Sequence, residues 1–292
     1  MTLATGLEKF VRQAEPLAPH TWFKLGGPAE FFAEPTTVDE LAELVRRCRQ
    51  EEIAVRLLGG GSNLLVRKEG VPGVVIRLSD PAFSQIAAEK RRIVAGGGAK
   101  LGQVISTAVR QGLAGLESLV GIPGTIGGAL HGNAGSHGGD IGQWTCQATV
   151  MTRTGEIRTR ERDDLVFAYR HSSLDELVIL SAEFELEEGD PEQLTKRMQK
   201  QWIVKKANQP MSHQSAVCIF KNPRGMNAGT LIDQAGLKGV QVGGAEVSQQ
   251  HANFIVAHEG ATTQDVLQLI DQIRSRVAER LGVELETEIE VW

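Results

Sequence analysis

Residues 59–63, Gly-Gly-Gly-Ser-Asn, follow an apolar stretch and are the first part of the sequence suited to holding a phosphate. Successive glycines can direct several backbone N–H groups at one anion. The run is not a Rossmann fingerprint, because the third glycine of that pattern would fall on Leu64 and no helix follows. A P-loop is excluded because the chain has no Gly-Lys-Ser/Thr triplet. The alternative interpretation is a tight turn between two strands.

Residues 121–135 form a second glycine-rich stretch, with six glycines and one proline. This composition predicts backbone that packs against a flat ligand or a diphosphate, since glycine permits close approach. The stretch belongs to a longer segment, 112–143, whose weak periodicity predicts a functional loop without regular elements. The alternative is a glycine-rich loop that binds no ligand.

The composition of the 292-residue chain argues against several other classes of protein. A formal net charge of −5 and 5% aromatic residues do not fit a nucleic-acid-binding surface. The apolar stretches are too short to span a membrane, and the first residues lack a signal-peptide pattern. Cys48, Cys146 and Cys218 are too widely spaced for a zinc site and odd in number for a disulfide framework. We therefore expect no metal site and a cytoplasmic location.

Hydrophobic periodicity predicts helices and strands in every third of the chain, so the expected fold class is α+β. The predicted helices are 37–52, 101–111, 190–206, 228–235 and 263–281. The predicted strands are 53–58, 64–66, 74–78, 93–95, 177–186 and 253–257, with a hairpin over 149–160. The tail 283–291 alternates apolar residues with glutamates, which predicts a half-buried strand with its carboxylates on one face.

Seven blocks of sequence, in order, resemble the UDP-N-acetylenolpyruvoylglucosamine reductase family from about residue 21 to residue 292. They are TWFKLGGPAEFF (21–32), LLGGGSNLLV (57–66), GLESLVGIPGTIGGALHGNAG (115–135), FAYRHSSL (167–174), FKNPRGMNAGTLIDQAGLKG (220–239), GGAEVSQQHANFIV (243–256) and GVELETEIEVW (282–292). The resemblance implies a two-part FAD-binding region of the vanillyl-alcohol-oxidase-like type, expected at 1–78 and 79–202. A C-terminal α+β substrate-binding domain is expected at 203–292.

The resemblance also implies non-covalent FAD, with NADPH as the co-substrate that supplies hydride. The run 59–63 would meet the FAD diphosphate, and residues 121–133 would line the isoalloxazine ring and the adjoining phosphates. The matching cofactor-binding residues are Gly59, Gly60, Gly61, Ser62, Asn63, Gly121, Ile122, Pro123, Gly124, Thr125, Gly128 and Asn133.

Two charged residues match catalytic positions of the family. Arg170, in FAYR, is similar to the arginine that holds the substrate carboxylate and steadies developing charge. Glu288 is similar to the acidic residue beside that carboxylate. From the sequence alone, a lone arginine equally fits a surface salt bridge, and Glu288 is one of four glutamates on a solvated strand face.

Cys218 departs from the family, which has a glycine–serine pair where this chain has Val217-Cys218. In the family the serine is the acid that delivers a proton to C2 of the substrate. A thiol has one proton to give and an unperturbed pKa of about 8.5, so it can replace the serine near neutral pH. The alternative is a small buried hydrophobic residue.

Five further positions match residues that bind the UDP-sugar or the nicotinamide dinucleotide in the family. They are Tyr169, Lys206 (or its neighbour Lys205), Lys221, Asn222 and His251. A structural role is the alternative for the histidine. One branch of the family clamps the diphosphate with a loop tyrosine, but the only tyrosine of this chain lies inside FAYR. The chain is therefore similar to the shorter branch, which lacks the tyrosine loop.

These positions imply NADPH-dependent, FAD-mediated reduction of UDP-N-acetylglucosamine enolpyruvate to UDP-N-acetylmuramate in peptidoglycan precursor synthesis. One alternative is another FAD oxidoreductase of the same superfamily that acts on a sugar or lactone. It would have no reason to carry FKNP, HANF and the glutamate tail together. The other is a non-catalytic flavin- or UDP-sugar-binding protein, against which the retention of Arg170 and Glu288 argues. The expected partners are the UDP-sugar and NADPH, with neither nucleic acid nor membrane.

Overall fold

The computed structural model describes residue 3 and residues 6–136, 139–210 and 214–292. The chain forms two compact units. Unit 1 comprises the chain up to Ala14, Glu30–Gly60 and Pro72–Ile203. Unit 2 comprises Glu15–Ala29, Gly61–Val71 and Val204–Trp292, so three separate stretches of sequence build it.

The described residues form helices and many short strands. The helices are α1 Val38–Gln50, α2 Leu101–Arg110, α3 Ile126–His131, α4 Pro191–Asn208, α5 Ala228–Gln234 and α6 Thr263–Leu281. The strands are β1 Val11–Pro16, β2 Pro28–Ala33, β3 Val55–Leu58, β4 Leu64–Leu65, β5 Val71–Arg77, β6 Ile86–Glu89, β7 Arg92–Gly96, β8 Leu113–Ala114, β9 Gly135–Ser136, β10 Gly139–Asp140, β11 Thr145–Met151, β12 Ile157–Glu161, β13 Phe167–Ala168, β14 His171–Ser172, β15 Val178–Glu185, β16 Glu187–Glu188, β17 Gln241–Val242, β18 Ala245–Val247, β19 Ile255–Ala257 and β20 Glu290–Val291. Within these ranges, no helix combines the length and the apolar character that crossing a bilayer requires.

The first sheet of unit 1 has the order β1-β2-β5-β3, with β3 and β5 parallel. Helix α1 shares a hydrophobic core with this sheet, in which Leu41 and Cys48 of the helix and Val74 of β5 are buried. The helix begins after Thr37, whose hydroxyl accepts a hydrogen bond from Glu40 N at 3.1 Å. This N-cap satisfies a backbone N–H at the helix start and confirms the predicted boundary there.

The second sheet of unit 1 is antiparallel, with the order β12-β11-β15-β7-β6. It forms a separate core with α2 and α3. Helix α2 buries Leu101, Val104 and Ala108 at helical spacing, as the sequence predicts. Strands β11 and β12 form the hairpin expected over 149–160.

Unit 2 packs α5 and α6 with the three-stranded antiparallel sheet β17-β18-β19. Helix α6 begins with a capping box between Thr262 and Asp265 and ends where Gly282 takes a φ of +67°, which confirms the predicted boundaries. Phe23 and Leu65, from the other two stretches of unit 2, are fully buried in the same core. Strand β20 pairs in parallel with β4.

Two predictions about regular structure are wrong. The segment 112–143 contains α3 and several short strands, because Thr125 caps a helix whose Ile126 and Leu130 are buried. The tail 283–291 is not one continuous strand, since only β20 at its end pairs as one. Leu285 and Ile289 are nevertheless buried, as the alternation predicts. The pattern therefore indicates which side chains face the core, although the tail forms no continuous strand.

Candidate active site

Cys218 is half-buried in unit 2, between two backbone hydrogen bonds that fix its neighbours. Val217 N donates to Ser62 O at 3.1 Å, and Ile219 N donates to Asn253 O at 2.9 Å. Ser62 belongs to the run predicted to hold phosphate. The structure therefore brings the end of that run, residues 61–63, beside the predicted proton donor.

Glu288 lies on the next backbone segment of unit 2. Its N–H donates to Ile219 O at 2.8 Å, and its carbonyl accepts a hydrogen bond from Asn63 Nδ2 at 3.0 Å. Glu290 N donates to Asn63 O at 3.0 Å. Glu288 is half-buried, whereas the three other glutamates of the tail are exposed. Cys218 and Glu288 thus sit on adjacent segments, both tied to residues 62–63.

The two glycine-rich stretches meet in unit 1. A Cβ added to Gly59 would come within 2.9 Å of Thr125 Oγ1, and one added to Gly60 within 2.8 Å of Gly124 Cα. Neither position accommodates a side chain without a shift of its neighbour, so two stretches predicted separately pack directly on each other. Gly121 has a φ of +81°. The residues between it and α3 are half-buried, namely Ile122, Pro123, Gly124 and Thr125. Gly128 N donates a hydrogen bond to Thr125 Oγ1 at 3.4 Å.

Gly61 and Asn63 belong to unit 2. Gly61 has a φ of +64°, and a Cβ there would collide with His20 O. The Asn63 side chain donates through Nδ2 to the Glu288 carbonyl, while its Oδ1 is buried and has no hydrogen-bond partner among the described residues. A buried acceptor without a donor is costly, so this oxygen fits a bound group that supplies one.

Arg170 is placed by a two-residue hairpin turn in unit 1. Strands β13 and β14 pair Ala168 with His171, which leaves Tyr169 and Arg170 as the turn. Arg170 takes a φ of +55°, a conformation that is uncommon outside glycine and recurs at functional sites. Its Nη1 donates to Gly135 O at 3.2 Å, and its guanidinium carbon lies 5.4 Å from the Tyr169 ring centroid.

Asn133 was predicted to meet FAD, but its side chain is engaged within unit 1. The residue is 3% exposed; Nδ2 donates to Ala168 O at 2.9 Å and Oδ1 accepts from Gly142 N at 3.1 Å. Both ends of the carboxamide therefore bond backbone. The side chain holds the strand that leads into Arg170, a role that sequence reasoning missed.

Four predicted binding positions lie in unit 2, namely Lys221, Asn222, Lys206 (or its neighbour Lys205) and His251. Lys221 Nζ is 2.5 Å from Glu286 Oε1 in an ion pair at the surface. Asn222 Oδ1 accepts a hydrogen bond from the first residue of α5 at 2.9 Å. On α4, Lys206 is exposed and its neighbour Lys205 is buried. The two alternatives left open for this position thus differ in exposure.

His251 and Asn253, both in HANF, complete this part of unit 2. Burial, and then the charge on Lys238, hold the pKa of His251 below its usual range. The ring is therefore neutral near pH 7, and Nδ1 accepts from Asn253 N at 3.2 Å. Asn253 is buried and bonds both backbone groups of Phe220. No local spacing in the sequence signalled that role.

The structure thus brings the predicted site residues into two sets. Unit 2 holds Cys218, Glu288, residues 61–63 and His251, linked by the hydrogen bonds above. Unit 1 holds Arg170 with residues 59–60 and 121–133. Within the described parts of the chain, no group of three or more His, Cys, Asp or Glu residues could hold a metal ion.

Two family models match the chain. One, UDP-N-acetylenolpyruvoylglucosamine reductase, C-terminal domain, matches residues 209–292, and the other, FAD binding domain, matches residues 29–160. The UDP-N-acetylenolpyruvoylglucosamine reductase of Heliobacterium modesticaldum is 44% identical over 96% of this chain and 90% of its own length. The protein of the same name from Listeria monocytogenes is 40% identical over 96% of this chain and 94% of its own length.

Solved structures agree with these relatives. The UDP-N-acetylenolpyruvylglucosamine reductase of Thermus caldophilus matches with a TM-score of 0.83 at 38% identity, over 97% of this chain and 100% of that one. A Phl p 4 variant described as a glucose oxidase matches with a TM-score of 0.50 at 14% identity, over 63% of this chain and 42% of that one. At that identity it shows the fold alone, and the predicted α+β class with an FAD-binding region is confirmed. With 44% identity to one named relative along nearly its whole length, the chain belongs to the UDP-N-acetylenolpyruvoylglucosamine reductase family.

Proposed function

We propose that this chain reduces UDP-N-acetylglucosamine enolpyruvate to UDP-N-acetylmuramate with FAD and NADPH, in the synthesis of peptidoglycan precursors. The observation that carries the proposal is that a cysteine and a glutamate, at the positions expected for this chemistry, lie on adjacent backbone segments. Cys218 and Glu288 lie on backbone segments joined by the hydrogen bond from Glu288 N to Ile219 O, at 2.8 Å. The relatives of known name support the choice of substrate.

FAD supplies, when bound, the transfer of hydride from NADPH to the enolpyruvyl carbon, which no amino-acid side chain can perform. Two observations fit the chain to such a group. The close packing of Gly59 and Gly60 against residues 124–125 brings the two glycine-rich stretches together, and such stretches can direct several backbone N–H groups at one phosphate. Asn63 Oδ1 is a buried acceptor that lacks a donor among the described residues. We assign residues 59–63 and 121–128 to a non-covalent FAD site.

Cys218 and Arg170 each have one task in this proposal. Cys218 holds the proton that C2 of the substrate receives. Arg170 binds the substrate carboxylate, where its charge stabilises the negative charge that develops when hydride reaches the neighbouring carbon. Glu288 lies beside that carboxylate.

We also propose how the chain divides these tasks. Residues 1–78 and 79–202 form the two FAD-binding subdomains, and 203–292 form the substrate-binding domain. The groups that contact the UDP-sugar or NADPH include Tyr169, Lys206, Lys221, Asn222 and His251. Neither nucleic acid nor membrane is a partner, and the protein works in the cytoplasm.

One assay tests the proposed function. Purified protein is mixed with NADPH and UDP-N-acetylglucosamine enolpyruvate, and absorbance in the nicotinamide band is followed. We expect NADPH to be consumed only when the UDP-sugar is present, with a product heavier by two hydrogen atoms in mass spectrometry. Consumption with a free sugar or lactone instead would favour another oxidoreductase. Flavin and UDP-sugar binding without turnover would favour the binding protein.

A further inference from the structure

Asn253 makes three hydrogen bonds to the segment that follows Cys218. The residue is 2% exposed. Phe220 N donates to Asn253 Oδ1 at 2.9 Å, and Asn253 Nδ2 donates to Phe220 O at 2.8 Å. The backbone carbonyl of Asn253 accepts from Ile219 N at 2.9 Å. One buried residue therefore fixes two consecutive residues directly after the thiol.

These two residues also connect Cys218 to the tail. Ile219 O accepts from Glu288 N at 2.8 Å, and Phe220 forms a β-bridge with Thr287. The backbone that Asn253 fixes is thus the backbone that joins the segment of Cys218 to the segment of Glu288. A shift of this segment would move one group relative to the other.

The side-chain type suits this task. Phe220 presents a donor and an acceptor to one buried side chain, and a carboxamide answers both at once. A carboxylate offers acceptors only, so it would leave the Phe220 carbonyl without a donor in a buried place. A hydroxyl is shorter and reaches one of the two groups.

We infer that Asn253 is a positioning residue for the protonation step, holding Ile219 and Phe220 so that Cys218 and Glu288 stay in register. The inference rests on the proposed role of Cys218. Asn253 acts through the backbone and not on the substrate. Its removal should therefore slow the half-reaction that uses the thiol and spare the half-reaction that does not.

The test is a double-mutant cycle between Asn253→Asp and Cys218→Ala, measured by stopped-flow on the flavin-loaded protein. Flavin reduction by NADPH is followed first, and reoxidation by the enolpyruvyl UDP-sugar second. We expect Asn253→Asp alone to slow reoxidation by about 10- to 100-fold, the cost of a small misplacement, and to leave reduction within about twofold. In the Cys218→Ala background the same change should slow reoxidation by less than about threefold.

Thr262→Ala is the matched control, because it removes a different hydrogen bond of the same unit, the one that caps the N-terminus of α6. It should leave both half-reactions unchanged. If Asn253→Asp does not yield folded flavoprotein, Asn253→Ser, which buries no charge, takes its place in the cycle. Equal slowing in both backgrounds, or equal slowing of both half-reactions, would overturn the inference. Failure of the proposed role of Cys218 is read separately, from wild-type reoxidation in Cys218→Ala alone.

Discussion

At the scale of single residues, Glu288 differs from the other glutamates of the tail in its surroundings. Its backbone is held by Ile219 on one side and Asn63 on the other, and its side chain is half-buried. Glu284 and Glu290 are exposed, and Glu286 is exposed and paired with Lys221. The carboxylate that we propose to act in the reaction therefore differs from the other three in its surroundings and not in its chemistry.

We predict that Glu288→Gln slows flavin reoxidation by the UDP-sugar at least about 10²-fold, because an amide of nearly the same size cannot exchange a proton as a carboxyl group does. Reduction by NADPH should stay near wild type. Stopped-flow absorbance measures both. Glu284→Gln is the control, since Glu284 is exposed, whereas Glu286 pairs with Lys221. Similar behaviour of the two variants would show that the whole face is merely solvated.

Cys218→Ala should leave flavin binding and NADPH-driven reduction almost untouched and slow reoxidation by about 10²–10⁴-fold, the range for a positioned acid. Cys218→Ser should retain substantial activity, because a hydroxyl also carries a transferable proton. Single-turnover reoxidation is the decisive measurement. Wild-type reoxidation in the alanine variant would make Cys218 a packing residue and assign the proton to another donor.

Cys48 should resist alkylation at neutral pH. Burial, together with Glu51, raises the pKa of Cys48 to about 11. At pH 8, three units lower, only about one thiol in a thousand is ionised, and the thiolate is the reactive form. Labelling with iodoacetamide, read by peptide mass spectrometry, should therefore rise about tenfold per pH unit towards that pKa. A labelling rate at Cys48 that does not change with pH would contradict this.

At the scale of elements, the hairpin that carries Arg170 depends on a side chain outside it. Asn133→Ala removes the bonds to Ala168 O and Gly142 N. We expect the free energy of unfolding to fall by about 1–3 kcal/mol, because two backbone groups lose partners. Urea denaturation measures this. Asn208→Ala, at the exposed end of α4, should change stability by less than about 0.5 kcal/mol. Equal losses would mean that Asn133 does not hold the hairpin.

Elements with long periodic patterns and clear boundaries could be predicted from the sequence. Helix α6 has 19 residues, buried positions at helical spacing and a glycine at its end, so local signals suffice. Helix α3 has six residues, two of them glycine, which is too short for a period to stand out. The pairing of β20 with β4 depends on residues far away in the chain, so alternation in the tail could not define it.

The candidate site could be proposed from the sequence only where motif blocks surround its residues. Cys218 precedes FKNP and Arg170 ends FAYR, so the resemblance could single them out. The contacts of Asn253 and Asn133 join residues 33 and 35 positions apart. Such pairs come together only in the folded chain, and no spacing along the sequence encodes them.

At the scale of the whole molecule, unit 2 needs three stretches of sequence. Its core includes Phe23 and Leu65, both fully buried and both outside residues 204–292. We predict that an isolated fragment 204–292 shows no cooperative thermal transition by circular dichroism, because its core lacks these side chains and β20 lacks β4. The full-length chain is the control. A sharp transition in the fragment would show that the C-terminal stretch folds alone.

The hydrogen bond between Asn63 and Glu288 spans 225 positions of the chain. A ribosome adds about 5–20 residues per second, so Asn63 emerges roughly 10–45 s before its partner exists. During that interval the apolar residues Leu64 and Leu65 have no β20 to pair with. Unit 1 is complete once residue 203 has been synthesised, while unit 2 still lacks its last stretch, 204–292. A translational pause after residue 204 would therefore prolong the exposure of an apolar segment made long before and lengthen the time in which chaperones must shield it.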